Sequence, residues 1–286
     1  MKIAIASGKG GTGKTTVAVN LALSLGNAQL LDCDVEEPNC NLFLGFDLKK
    51  QEDVTITVPQ VDSGKCSLCG KCAEFCQYNA IAKLSDSVML FPKLCHGCGG
   101  CVLVCPEKAI TEKKRSIGVI EKGTNEQFNI ELLQGTLNIG EAMASPVIRQ
   151  LQTHMDESTV AVVDSPPGTA CPVIASVADM DYCVLVTEPT PFGLNDLVLA
   201  VDVIRQLGIP FGVIINRHGL GDNRVEEYCR VESIPVLMKI PYIREIAVLY
   251  SKGIPFVEHM PAWKENFREM CRDICEFIPY RGLSQC

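Results

Sequence analysis

The 286-residue sequence predicts an α/β fold, a mostly parallel sheet covered by helices on both faces, with a small inserted α+β unit. Three observations predict it. Short, near-continuous apolar runs alternate with stretches of helical spacing, which is how strands buried on both faces read. A glycine-rich loop follows the first apolar run at once and opens a helix. Eight of the 16 cysteines crowd between residues 66 and 105, where the alternation breaks off.

The first run, Met1-Lys2-Ile3-Ala4-Ile5-Ala6-Ser7, reads as a buried strand, and Val17 to Leu25 has helical apolar spacing. Between them, Gly8-Lys9-Gly10-Gly11-Thr12-Gly13-Lys14-Thr15-Thr16 matches G-x-x-x-x-G-K-[ST]. In that context the glycines let successive backbone N–H groups face phosphate oxygens, and the helix N-terminus adds its positive end. Lys14 is expected to reach the β- and γ-phosphates and Thr15 to ligate Mg²⁺. The bland alternative is a glycine turn without a ligand; strand, loop and helix in that order favour a nucleotide.

Ala28 to Asp34 reads as a second strand, with Asp32 and Asp34 on the same side by alternation. Two acids at a strand end beside such a loop suit water positioning and Mg²⁺ contacts. Val160-Ala161-Val162-Val163-Asp164 reads as another buried strand ending in an acid, with Asp164 placed to hold Mg²⁺ through water. Further strands are expected at 181–187, 211–216 and 236–241, and helices at 147–151, 195–207 and 224–232. A last helix over Ala262 to Ile278 sets Trp263, Phe267, Met270, Ile274, Phe277 and Ile278 on one face and mixed charges on the other.

The insert carries Cys66, Cys69, Cys72 and Cys76 in a C-x₂-C-x₂-C-x₃-C run, repeated at Cys95, Cys98, Cys101 and Cys105. Each run has a similar tail, Gln77-Tyr78-Asn79-Ala80-Ile81 and Pro106-Glu107-Lys108-Ala109-Ile110, so this is an internal repeat. The pattern resembles bacterial two-cluster ferredoxins, in which the fourth cysteine of one run ligates the other cluster. That resemblance assigns Cys66, Cys69, Cys72 and Cys105 to one [4Fe–4S] cluster and Cys76, Cys95, Cys98 and Cys101 to a second. Gln77 stands where the usual proline follows the fourth cysteine. Paired zinc is the alternative, but zinc does not require the third and fourth cysteines at these spacings. His96 lies inside a complete cysteine set and is read as a neighbour of the ligands or as exposed. The expected boundaries are 59–114 for the insert and 1–58 with 115–286 for the nucleotide domain.

Composition narrows the function. The balance of 26 basic against 34 acidic residues, net −8, argues against a general nucleic-acid or anionic-membrane binder. No apolar stretch approaches the ~20 residues of a membrane span. The first segment reads as a strand and not as a secretory signal, so a cytoplasmic setting is expected, where metal and not disulfides accounts for so many cysteines. Lys113-Lys114-Arg115 is read as a solvated segment.

Lys9, with Gly8-Lys9-Gly10-Gly11 and Gly13-Lys14-Thr15, resembles the deviant Walker A loop of the SIMIBI-class MinD/ParA/Mrp ATPases, which include the nitrogenase iron protein. The resemblance implies ATP and Mg²⁺, with Lys9 reaching a partner's phosphates across a homodimer or a heterodimer with a paralogue. It implies catalytic roles for Lys9, Lys14, Asp34 and Asp164, Asp34 orienting the attacking water, and Mg²⁺ contacts from Thr15, Asp32 and Asp164. Val35-Glu36-Glu37-Pro38-Asn39 resembles switch I, and Asp164-Ser165-Pro166-Pro167-Gly168 resembles switch II, with the Gly168 N–H turned toward a γ-phosphate. Asn216, Arg217 and Pro241 match the base-side segments. Asn216 can both donate and accept, which suits a purine edge.

Cys171 matches a ligand of the iron protein's bridging cluster, but its companion cysteine is missing, so a structural thiol is the competing reading. Cys33, Cys40, Cys183 and Cys229 are read as buried thiols. Cys271 and Cys275 offer only two ligands and lack the C-x-x-C spacing of the Mrp branch.

Three functions follow from the resemblance. The first is an ATP-dependent redox protein passing electrons through its clusters to an unidentified partner. The second is an Fe–S or metallocofactor carrier of the Mrp type, delivering to an apo-protein client. The third, a MinD- or ParA-like spatial organiser, is disfavoured by the acidic charge and by a last helix that is not net basic. The cobyrinate diamide synthetases share the superfamily, but nothing here signals a glutaminase partner domain.

Overall fold

Ile3, Ala4 and Ile5 are all fully buried, which requires the first strand to be covered on both faces. In the computed structural model, which describes residues 1–125 and 128–277, this is β1 (Lys2–Ala6), an interior strand of a nine-stranded sheet. In chain order there follow α1 (Lys14–Leu25), β2 (Ala28–Asp32), α2 (Asn41–Leu44), β3 (Lys49–Val61) and α3 (Lys71–Phe75). Then come β4 (Ile81–Lys83), β5 (Val88–Leu90), α4 (Gly100–Leu103), β6 (Ile110–Asn125), β7 (Ile130–Leu137) and α5 (Ser145–Gln152). The remainder is β8 (Val160–Asp164), α6 (Cys171–Val177), β9 (Tyr182–Thr187), α7 (Pro191–Leu207), β10 (Phe211–His218), α8 (Arg224–Val231), β11 (Val236–Pro241), α9 (Arg244–Ser251) and α10 (Ala262–Phe277).

The sheet order is β11-β10-β9-β1-β8-β2-β7-β6-β3. From β11 to β7 every pairing is parallel; β6 and β3 continue it antiparallel. Alternate residues feed two cores. Ala4, Leu31, Val163, Leu185 and Val213 pack in one with Val147, Val173, Leu197 and Val225 of α5 to α8. Ile3, Ile5, Leu30, Val162 and Val184 pack in the other with Val17 and Leu21 of α1 and Phe267 and Ile274 of α10. On α10, Phe267, Met270 and Ile274 are buried, whereas Phe277 is 62% exposed, a correction to the expected apolar face; Ile278 lies outside the described residues.

Two other expectations change. β2 ends at Asp32 and Asp34 sits in the following turn, so strand alternation does not relate the two acids. Arg115 is not merely solvated: it makes a bidentate ion pair with Glu141, whose side chain is 7% exposed.

β3 and β6 form one long hairpin, paired from Lys49–Lys122 to Val61–Ile110. Only the 118–125 part of β6 also pairs with β7. The remaining eight residues of β6, 110–117, run on past Leu137 for about 26 Å at strand rise. Leu137 closes β7 at the same end of the parallel strands as Asp32 and Asp164, so the overhang leaves the sheet on the nucleotide-loop side. The expected boundaries at 58/59 and 114/115 fall inside these two strands. Residues 62–109 hang from the hairpin around a minimal core of Cys72, Ile81, Cys101 and Ile110. Two cysteines in a four-residue core leave little apolar burial, the situation in which ligation supplies folding energy.

Candidate functional site

The loop between β1 and α1 is shaped by glycines that cannot be replaced freely. A β-carbon on Gly8 would lie 2.0 Å from the Asp196 carbonyl oxygen, and Gly13 has φ +96° with the Asn216 amide nitrogen 2.3 Å from the same position. Asn216 Nδ2 donates to the Thr12 carbonyl at 2.8 Å, and its Oδ1 accepts from the Arg217 N–H at 2.9 Å. The residue matched to a purine edge therefore braces the phosphate loop in this structure. Arg217 pairs with Glu188, and Asn216, Arg217 and Pro241 stand together where β10 and β11 end.

Lys14, at the first position of α1, is 6% exposed, and burial lowers its pKa against the opposing pull of Asp164 and Asp34. Thr15 Oγ1 donates to Asp164 Oδ2 at 2.6 Å. Asp32 is fully buried: its Oδ2 accepts from the Asn39 and Cys40 N–H groups, both at 2.8 Å, and its Oδ1 from Asp34 N at 3.2 Å. It thus folds the 34–40 loop back over the strand end. Burial raises the carboxyls of Asp32 and Asp164, with mutual repulsion adding to the effect at Asp164. Burial also pushes Asp34 up to about 6, although Lys14 opposes it.

One participant was missed. Cys40, read as a bland thiol, places Sγ 3.5 Å from Asp164 Oδ2, and Asp32, Cys40 and Asp164 present ligand atoms within 4.8 Å of one another. No sequence motif could have pointed to it. Gly168 has φ +96°, but its N–H donates to the Ser7 carbonyl at 3.0 Å and not outward toward a phosphate as expected. Cys171 is exposed at the start of α6, not buried. Cys33, Cys183 and Cys229 are buried, as is Cys271, while Cys275 Sγ lies 3.6 Å from Met1 Sδ.

The fit to a bound nucleotide and cation is seen in orphaned polar atoms. Thr12 Oγ1, Asn39 Oδ1, Asp164 Oδ1 and Ser165 Oγ are buried without a partner, on the phosphate loop, the 34–40 loop and the end of β8. Buried polar atoms are ordinarily paired, so such a concentration marks a site completed by a ligand.

The eight insert cysteines line two cavities. One is bordered by Cys66, Cys69, Cys72 and Cys105, the other by Cys76, Cys95, Cys98 and Cys101, so each takes three thiols from one run and one from the other. Backbone N–H groups of Ala80, Ala109 and Gly97 donate to the sulfurs of Cys76, Cys105 and Cys95 at 3.3, 3.3 and 3.4 Å. An all-thiol donor set with N–H···S bonds fits a group held by thiolates. Burial raises the Cys72 and Cys101 thiols, and neighbouring sulfurs add to it. His96 is exposed at the second cavity and stacks on Tyr78 at 3.6 Å between ring centroids.

An uncharacterized protein of Methanocaldococcus jannaschii is 33% identical, covering 97% of both chains. A protein of Pyrococcus horikoshii named iron-sulfur cluster carrier protein is 25% identical over 92% of this chain and 82% of its own. The structure of the septum site-determining protein MinD complexed with Mg-ADP, also from Pyrococcus horikoshii, superposes with a TM-score of 0.57 at 21% identity, over 96% of this chain and 95% of that one. Residues 3–256 match the CobQ/CobB/MinD/ParA nucleotide binding domain. The chain belongs to that family and carries its ATP-binding, MinD/ParA-type domain.

Proposed function

We propose that this protein binds and hydrolyses MgATP and couples its switch segments to electron transfer through two [4Fe–4S] clusters. The observation that carries the reading is the crossed lining of the two cavities, on a hairpin continuous with the nucleotide sheet. The spacing of both runs favours cubanes over zinc. Residues 59–114 are the ferredoxin-like unit in this reading. When bound, the clusters supply one-electron carriers; everything else is done by the chain.

The loop from Gly8 to Thr16 holds the phosphates with its N–H groups, Lys14 neutralises them, and Thr15 and Asp164 hold Mg²⁺ with Asp32 behind. Asp34 orients the attacking water. Lys9 reaches the nucleotide of a second ATPase subunit, identical or paralogous. For Gly168 to meet a γ-phosphate its N–H must leave the Ser7 carbonyl, which makes that bond the switch II element released on ATP binding. The base lies by Asn216, Arg217 and Pro241. A reducing compartment, the cytoplasm, keeps the thiols available.

A second reading is favoured by the names of relatives: several proteins 24–25% identical to this chain are iron-sulfur cluster carrier proteins. In that reading the clusters leave for an apo-protein client. Anaerobic reconstitution should give about eight irons per chain, as two cubanes require. MgATP turnover with an apo-ferredoxin acceptor then separates the two readings. Full retention of iron supports electron transfer; iron passing to the acceptor only with hydrolysable ATP replaces it with delivery.

A further inference from the structure

The two halves of the cysteine repeat have nearly the same backbone. Leu68 and Gly97 have φ of 57° and 66°, Gly70 and Gly99 84° and 71°, and Asn79 and Lys108 53° and 50°. Ala80 and Ala109 donate to Cys76 and Cys105 at the same 3.3 Å. The backbone around the two cavities is therefore largely the same, apart from the Gly97 N–H on Cys95 at the second and Pro106 in place of Gln77, and the clearest remaining difference lies in side-chain charge.

One pair of equivalent side chains is opposite in charge. Lys83 and Glu112 each stand seven residues beyond the fourth cysteine of their run, and each folds back onto the binding loop of its own run. A β-carbon on Gly70, between Cys69 and Cys72, would lie 3.0 Å from Lys83 Cδ and 3.9 Å from Nζ. On Gly99, between Cys98 and Cys101, it would lie 3.4 Å from Glu112 Oε1. Neither side chain is in an ion pair among the described residues. One glutamate borders each cavity, Glu107 the first and Glu112 the second, and no lysine or arginine lines either; the asymmetry is Lys83, which stands against the Gly70 loop of the first.

We infer that Lys83 and Glu112 split the reduction potentials, so that a single electron settles on the Cys66/Cys69/Cys72/Cys105 cluster. The inference rests on the two-cluster reading above. A one-electron donor, such as the reduced mediator of a titration, gives up one electron and adds one negative charge to a cluster, with no bond formed or broken; a nearby ammonium stabilises that charge and a carboxylate opposes it. The second cavity is bordered by Thr57 and Pro59, toward the sheet, and the first by Val61 and Ile110, where the hairpin ladder ends. The higher potential therefore lies at the outer end, away from the nucleotide. Both side chains are exposed, so salt weakens the split.

The test is a mediated redox titration of the reconstituted full chain, followed by EPR at pH 8 to keep imidazole charge out of the comparison. Two midpoints are expected in the unsubstituted protein. K83M should lower the upper one, E112Q should raise the lower one, and the exchange K83E/E112K should reverse which cluster is reduced first. High salt should narrow the gap. Both positions are on the surface, and iron content reports whether each variant assembles. Coincident midpoints in the unsubstituted protein overturn the inference, as do unmoved midpoints in variants that retain about eight irons. Failure of the unsubstituted chain to hold two clusters overturns the two-cluster reading itself, and the inference falls with it; the iron count distinguishes that failure from the other.

Discussion

The main-chain N–H of Leu137 donates to the carbonyl of Val35 at 2.8 Å, tying the residue after Asp34 to the last residue of β7. The next residue, Asn138, donates to the Ile117 carbonyl at 2.8 Å, on the β6 strand that carries the cysteine unit. The turn that holds Asp34 and the hairpin that holds the insert thus share one hydrogen-bonded edge. A displacement of residues 34–40 has a contiguous path to the overhanging strand.

Arg115 and Glu141 anchor that edge. Replacing Arg115 with Ala leaves the Glu141 carboxylate, 7% exposed, without its partner. The expected loss is about 3 kcal/mol of folding stability, read as a lower urea midpoint. Replacing Glu141 as well, with Leu, should recover much of it, since the cost comes from an uncompensated buried charge.

In the proposed mechanism, Asp34 makes hydrolysis depend on pH. Its carboxyl is held at about 6, chiefly by burial, above an unfolded value of ~3.9. The folded chain therefore binds the extra proton between these values. Its contribution to stability is present below about pH 4 and lost as pH rises through about 6. Activity runs the other way, because orienting water needs the ionised form. The ATPase rate should climb with an inflection near 6, and D34N should lose that inflection and be roughly 100-fold slower. A flat profile in the unsubstituted protein would remove Asp34 from this role.

Two glycines of the phosphate loop should respond differently to one methyl group. A β-carbon on Gly8 meets main chain at 2.0 Å, whereas on Gly10 its nearest neighbour is Pro167 Cβ at 4.0 Å. Gly8→Ala must displace α7 and should cost on the order of 3 kcal/mol or prevent folding, as overpacking does. Gly10→Ala should leave the thermal midpoint within a few degrees. Equal losses in the two variants would show that the close approach of α7 does not govern the loop.

The crossed cysteine sets predict which variants share a phenotype. Cys76→Ser and Cys95→Ser should remove the same EPR signal, and Cys72→Ser and Cys105→Ser the other. Each should leave about four irons of about eight. If Cys76→Ser instead matches Cys72→Ser, the ligands do not cross between the runs.

Residues close in the chain were legible without coordinates. The strand, glycine loop and helix around Lys14 follow from local backbone requirements and apolar spacing, and the two buried faces of the sheet from unbroken apolar runs. The cysteine runs were equally plain, because the repeat that lines the two cavities is written in spacing. What tertiary structure alone decided are pairings across long separations. Asn216 reaches Thr12 over 204 positions because β10 and β1 lie on either side of β9, and strand order is set by how helices pack across the sheet. Cys40 meets Asp164 only because Asp32 folds the 34–40 loop back over the strand end. Lys83 and Glu112 meet Gly70 and Gly99 because each half of the repeat folds back on its own loop, and the hairpin stands on the nucleotide-loop side because β6 outruns β7. Spacing encodes what one stretch of backbone can do alone; which stretches meet depends on burying two faces of a sheet at once.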